Sequence, residues 1–206
     1  MSEKLVIGIL ALQGAFSEHI NLLLKLDNIK EVREIRKKEE LEGIDALIIP
    51  GGESTTMALV AEASGLMEPL KELIKVKKIP VWGTCAGLIF LSEEAEKVKK
   101  GGQKLLGGLH IKTQRNAFGS QIDSFVTNLD IPVIGEPKFR GIFIRAPIIE
   151  SIGDDVTVLA KLENGSIVAV KQDNIIATAF HPELTNDPRF HQYFINHVIE
   201  RKVSTY

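Results

Sequence analysis

With a single cysteine in 206 residues, Cys85 has no partner for an internal disulfide, and a disulfide-stapled secreted scaffold is excluded. Basic residues are not in excess. The 25 Lys and Arg against 27 Asp and Glu give a formal net charge of −2, which removes the electrostatic case for a nucleic-acid binder. No apolar run approaches the ~18 residues needed to cross a bilayer. The opening stretch MSEKLVIGILALQGAF has a short apolar run broken by Gly8, Gln13 and Gly14, with no small-residue cleavage site after it. It reads as a first strand and not as a signal peptide. Metal-ligand spacings are missing too: there is no CxxC, no HxxxH and no carboxylate cluster. The glycine pairs at 51–52, 101–102 and 107–108 make neither GxGxxG nor a phosphate loop. These absences leave a cytoplasmic globular protein, with no metal and no cofactor expected.

What is present suffices for a core. Hydrophobic residues make up 44% and charged residues 25%, ordinary values for a chain that folds as one domain over residues 1–206. Residues 4–10 (KLVIGIL), 45–50 (DALIIP), 79–83 and 175–180 are apolar runs, as expected of strands buried on both faces of a parallel sheet. A further strand is expected over 30–35. Helical periodicity covers HINLLLKL at 19–26, with Ser17 as its N-cap, and also 54–63, 68–77 and 85–94. Strands alternating with helices at this spacing imply βαβ units. The second half reads differently: strands over 105–127, 139–145, 156–162 and 167–172, a hairpin signal at Asn164-Gly165, a turn at Asp173-Asn174 and a closing helix over 188–201. The 97–102 stretch (KVKKGG) reads as a solvated loop. The fold class is α/β, a mostly parallel central sheet with flanking helices plus a smaller β-rich region in the second half.

The lone cysteine lies in Gly83-Thr84-Cys85-Ala86-Gly87, between an apolar strand and an apolar helix. That is the form of a nucleophile elbow, where small flanking residues relieve the crowding of a sharp strand-to-helix turn. A helix starting there directs unpaired N–H groups and partial positive charge at the sulfur, which favours the attacking thiolate. The other reading of a lone cysteine is a small apolar filler. Of the five histidines, His19, His110, His191 and His197 sit where a structural role suffices, without a patterned acidic neighbour. His181 differs: AFHPEL puts it at the end of an apolar strand, with Glu183 two residues on and on the same side if the strand continues. Such a carboxylate would orient the ring as the third group of a triad. Pro50-Gly51-Gly52-Glu53-Ser54-Thr55 is another strand end before a helix, where backbone amides could stabilise an oxyanion together with that of Ala86.

Together, PGG, G-x-C-x-G and a late H-P-E resemble the class I, triad-type glutamine amidotransferases. LALQGAF at 10–16, PGGESTTM at 50–57, GTCAGLI at 83–89, RNAFGSQIDSF at 115–125, GIFIRAPII at 141–149 and AFHPELT at 179–185 are similar, within that class, to the glutaminase subunits of pyridoxal 5'-phosphate synthases. The likeness spans nearly the whole chain in order, and GESTTM, RNAFG and FIRAP are its most specific parts.

The resemblance implies a three-layer, flavodoxin-like fold, with Cys85 as nucleophile, His181 as base and Glu183 as its orienter. The backbone amides of Gly52 and Ala86 would form the oxyanion hole. L-Glutamine would be held around Gly52, Glu53 and Ser54, by Arg115, and by Ile144 and Arg145. Gln13 and Gly14, in the first strand-to-helix loop, would lie near the site and the synthase interface. The partner implied is a (β/α)8 pyridoxal 5'-phosphate synthase subunit in a hetero-oligomer, which receives the ammonia. One departure is Ser120, where the family often carries a basic residue. The same triad would serve a glutaminase subunit of another ammonia-channelling synthase, such as imidazole glycerol phosphate synthase; RNAFG and FIRAP discriminate against it. A cysteine peptidase on a similar scaffold and a non-catalytic subunit are the readings from other classes.

Overall fold

The computed structural model describes residues 4–96, 103–115 and 124–204. The first half alternates as its apolar runs require: β1 (Leu5–Leu10), α1 (Phe16–Leu23), β2 (Ile29–Ile35), β3 (Ala46–Ile49), α2 (Ser54–Ala63), α3 (Met67–Lys71), β4 (Val81–Thr84) and α4 (Ala86–Leu91). The second half is strand-rich: β5 (Ser92–Glu96), β6 (Leu109–Gln114), β7 (Ser124–Leu129), β8 (Phe139–Ile144), β9 (Ile148–Ile152), β10 (Thr157–Lys161), β11 (Ile167–Gln172) and β12 (Ile175–Thr178), closed by α5 (Arg189–Val203).

The main sheet runs β2-β1-β3-β4-β12-β11-β9-β6-β5, with β10 also paired to β11. From β2 to β12 every pairing is parallel. The pairings then turn antiparallel through β11 and β9 to β6, and β5 pairs parallel to β6 at the far edge. β7 and β8 form a separate antiparallel ribbon.

All residues of β3, β4 and β12 are buried, which is why those segments read as unbroken apolar runs and not as alternating ones. The two faces separate cleanly along β4. Trp82 packs on one face against His19 of α1 (ring centroids 5.2 Å) and Phe190 of α5 (5.1 Å). A Cβ on Gly83 would instead strike the α4 side, 2.6 Å from the Gly87 carbonyl carbon and 2.7 Å from Leu91. Helices therefore cover both faces, giving three layers. The chain order reverses beside β1, which pairs with β2 on one side and β3 on the other. Such a switch point opens a crevice at the carboxyl ends of the strands.

Several boundaries move. Ser17 lies inside α1, not at its cap; Ala15 holds the cap position without a side-chain bond, and the Ser17 hydroxyl donates to Glu18. The helix expected over 85–94 stops at Leu91, and Ser92–Glu96 pairs with β6 instead, because tertiary pairing along a sheet edge outweighs the helical preference of Glu and Ala. The helix expected over 68–77 divides into α3 and a π-helical turn, Glu72–Val76. The expected 105–127 strand resolves into β6 and β7, and β9 was not anticipated. The Asn164-Gly165 hairpin joins β10 to β11 as its turn chemistry demands. The loop expected at 97–102 lies outside the described residues, as do Ser120 and RNAFG beyond Arg115. Among the described residues no helix is long and apolar enough to cross a membrane.

Candidate active site

Four parallel strands deliver the site at their carboxyl ends. β1 leads to Gln13-Gly14, β3 to Gly51-Gly52, β4 to Cys85, and β12 through Ala179-Phe180 to His181. Pairing of Thr84 with Thr178 sets β4 and β12 level, and the Cys85 N–H donates to the Thr178 carbonyl at 2.8 Å. His181 is tied to the ribbon, its N–H donating to Ile142 of β8 at 2.8 Å.

Cys85 sits at φ 49°, ψ −100°, a left-handed conformation a non-glycine residue rarely takes, and is nearly buried. Its flanking glycines have a concrete reason. A Cβ on Gly87 would lie 2.1 Å from the Ile49 carbonyl oxygen of β3, and one on Gly83 would drive into Gly87 itself. The elbow exists only because both positions lack side chains. The Cys85 thiol points toward the Ile144 carbonyl, Sγ to O 3.7 Å.

His181 donates from Nδ1 to Glu183 Oε1 at 2.6 Å, and both side chains are almost wholly buried. The pairing expected from strand alternation arises differently. β12 ends at Thr178, and Pro182–Leu184 forms a 3-10 turn in which Glu183 swings back under the ring. Proline at the first position of that turn cannot continue a strand ladder, which is why the chain coils there. Burial alone would lower the pKa of the His181 ring, but Cys85 and Glu183 beside it push it up to about 10. His181 Nε2 itself makes no hydrogen bond.

The GG turn is wedged between the first loop and the histidine. Gly51 accepts a hydrogen bond from the Ala15 N–H at 3.0 Å, and Gly14, at φ 94°, lies so close that a Cβ there would be 1.8 Å from the Gly51 oxygen. A planar trans peptide then directs the Gly52 N–H away from Ala15. Gln13 Oε1 accepts from the Glu53 N–H at 2.8 Å, which builds Gln13 into the site wall.

Beyond the sulfur is a cavity of about 360 Å³, lined by Gln13, Gly52, Glu53 and Ser54 on one side and by Cys85, Ala86, Ile89, Arg115 and Arg145 on the other. Arg145 is exposed and held at φ 45°. Arg115 is held by Glu53 Oε1 (2.8 Å), Thr55 Oγ1 (3.0 Å) and Gln103 Oε1 (3.2 Å). Glu53 also caps α2, accepting from the Thr55 and Thr56 amides and the Thr56 hydroxyl. Burial would raise its pKa, but these bonds and Arg115 hold it at about 2. Ile144 contributes its carbonyl to the sulfur and does not line the cavity. A larger hollow of about 460 Å³ lies at the amino ends of β3 and β4; its basic residues pair with Glu72, Asp173 and Asp45, away from the sulfur.

Sequence reasoning missed Ile89, Gln103 and Thr55 around the cavity, and the partners of two histidines. His110 does have an acidic neighbour, Asp155 at 2.9 Å. His19 is fully buried behind the triad, bonded to His191 and facing Glu183. Neither relation leaves a local sequence signal, since the partners are 45 and 172 residues distant.

Comparison with known proteins bears on the family and the fold. The model of the SNO glutamine amidotransferase family matches residues 9–200. A Herpetosiphon aurantiacus protein named pyridoxal 5'-phosphate synthase subunit PdxT is 47% identical, over 93% of this chain and 99% of that protein. An Arabidopsis thaliana protein named probable pyridoxal 5'-phosphate synthase subunit PDX2 is 48% identical, over 93% of this chain and 85% of its own length. A solved structure described as a glutamine amidotransferase superposes with TM-score 0.84 at 43% identity, covering 93% of this chain and 98% of the other.

Proposed function

The chain belongs to the SNO glutamine amidotransferase family, and on that premise we propose that it hydrolyses L-glutamine to L-glutamate and ammonia for pyridoxal 5'-phosphate synthesis. The observation that carries the reading is the alignment of three groups from two strand ends: Cys85 on a strained elbow after β4, and, after β12, His181 beside it with Glu183 2.6 Å behind the ring.

The Cys85 thiolate attacks the side-chain amide carbon, with the imidazolium of His181 alongside as its counter-ion. The amide oxygen takes up the negative charge and rests on the backbone N–H groups of Gly52 and Ala86. As the tetrahedral intermediate collapses, the C–N bond breaks and His181 gives its proton to the departing nitrogen, releasing ammonia and leaving a thioester. A water then attacks the thioester carbon, His181 accepts its proton, and the C–S bond breaks to release glutamate. Glu183 holds the ring in the orientation that serves both transfers and balances its charge.

The amino-acid end of the substrate fits the remaining wall. Arg145 and Arg115 offer cations for the α-carboxylate, and Glu53 offers an anion for the α-ammonium. The ammonia then passes to a (β/α)8 pyridoxal 5'-phosphate synthase subunit, docked over the mouth near Gln13 and Gly14. The relatives' names support this assembly.

The test is ammonia release from L-glutamine by this chain alone and with that synthase subunit. Strong activation by the synthase is expected, with Cys85→Ala abolishing turnover while the variant still binds the partner. Turnover indifferent to the synthase refutes the partner, and turnover by Cys85→Ala near wild type refutes the mechanism.

A further inference from the structure

Behind the triad lies a group with no part in the steps above. His19 of α1 is fully buried against the turn that carries Glu183. Its Nδ1 is 2.8 Å from Nε2 of His191 on α5; its Nε2 is 3.3 Å from Thr84 Oγ1 and 3.6 Å from Glu183 Oε2. The carboxylate oxygen it faces has no hydrogen-bond partner, and among the described residues Glu183 pairs with no Lys or Arg.

The buried carboxylate selects one tautomer. Burial, then the neighbouring His191 and His181, keep the His19 pKa well below its ordinary value, and burial holds that of His191 at about 3, so both rings are neutral. Each ring then carries one N–H. If His19 carried its proton on Nδ1 and gave it to His191, the His191 Nδ1–H would be a buried donor without a partner. In addition, the bare Nε2 of His19 would turn its lone pair on the Glu183 carboxylate. In the other arrangement His191 Nε2–H donates to His19 Nδ1, and His19 Nε2–H is directed at Thr84 and Glu183. A lone pair of His191 and the Thr84 hydroxyl proton then go unmet, so each arrangement leaves one buried donor without a partner, and the carboxylate decides: only the second arrangement turns an N–H, and not a lone pair, toward Glu183 Oε2.

We propose that His19 is a positioning residue for the reaction: its Nε2–H, fixed by His191, faces the outer oxygen of Glu183 and holds that carboxylate in place for His181. The proposal rests on the glutaminase reading given above. At 3.6 Å the contact is long for a hydrogen bond, yet both groups are shut off from water, where an N–H dipole aimed at a carboxylate is weakly screened. Glu183 is thus clamped from two sides, with His181 on Oε1 and His19 on Oε2.

Two measurements test this. Nitrogen NMR on the histidine-labelled wild-type chain reads the tautomer without any need for activity. His19 is expected to show a protonated Nε2 and a bare Nδ1, and the reverse tautomer overturns the proposal. Kinetics with the synthase present compare His19→Leu with His19→Gln, whose amide nitrogen stands where Nε2 was. Leucine is expected to lower kcat about tenfold with KM for glutamine within about twofold, as loss of one donor to a buried charge implies. Glutamine is expected to recover most of kcat. Leucine at wild-type kcat, or glutamine as impaired as leucine, overturns the proposal; a leucine variant that does not fold leaves the glutamine variant and the tautomer to decide. Absence of glutamine hydrolysis in the wild-type complex would refute the functional reading and leave the tautomer result standing.

Discussion

Gly51→Ala isolates how tightly the histidine is placed. Gly51 does not occupy positive φ, so alanine meets no backbone penalty there. Its new methyl, however, would sit 2.4 Å from His181 Cε1 and 2.9 Å from Nδ1, where ordinary contact begins at 3.4 Å. The Gly51 carbonyl is anchored by the Ala15 N–H at 3.0 Å, so the ring takes up much of the misfit. Relief requires a movement of about 1 Å, enough to pull Nδ1 off Glu183 Oε1 and swing Nε2 away from the sulfur. A misplacement of that size in a reacting group lowers kcat by about a hundredfold. The accompanying overpacking costs about 1–3 kcal/mol of stability, a fall in Tm of about 2–12 °C for a chain this long. The assay is ammonia release with the synthase present, beside a thermal melt. A variant that melts near the wild type and turns over within about threefold of it would refute the placement of His181 against this turn.

Other outcomes follow from the same contacts. Glu183→Gln should lower kcat by at least about a hundredfold with little change in glutamine binding, because the ring loses its charge partner; an unaltered kcat removes Glu183 from the mechanism. His191, held at about 3, and His197, held at about 4, are lowered chiefly by burial. Each binds its proton on unfolding, so stability falls as pH drops from about 6.5 toward those values, by roughly 1 kcal/mol per pH unit for His191 and by less for the more solvent-screened His197. A urea midpoint that is flat between pH 6.5 and 4.5 contradicts this. His181 acts in the opposite sense: its raised pKa contributes stability below about 6.5 that is lost as pH climbs to about 10. Glu183→Gln should therefore flatten the alkaline limb of the wild-type stability curve. Glu53→Ala removes the α2 cap and an anchor of Arg115. It should cost about 1 kcal/mol at pH 7 after solvent screening, a difference that shrinks as pH falls from about 4.5 toward 2, where Glu53 itself protonates. A pH-independent difference would place the effect elsewhere.

Much of this protein is written locally. Strands buried on both faces need only a run of apolar side chains, so β1, β3 and β12 could be read from composition alone, and the Asn-Gly turn marked its own hairpin. The elbow was legible because its steric demand falls on Gly83 and Gly87, immediate neighbours of Cys85. His181 and Glu183 were legible as a pair because two residues separate them, although the reason given for their meeting, a continuing strand, was wrong: proline coils the chain into a 3-10 turn. Where local preference and pairing compete, sequence misleads. Ser92–Glu96 has helical composition but lies on a sheet edge beside β6, and β9 went unseen among segments of similar character.

What the sequence by itself determined is the inventory: which residues can attack, carry a proton or hold a carboxylate, and the α/β order that sends strand ends to one side. The tertiary structure alone decided their company. It set β4 level with β12 so that sulfur and imidazole meet, drove Gly51 against the His181 ring, tied Arg115 to Glu53, and bonded His191 to His19 behind Glu183. These contacts join residues up to 172 positions apart. They depend on sheet register and layer packing, which arise only when the whole core closes and which no short window of the chain can express.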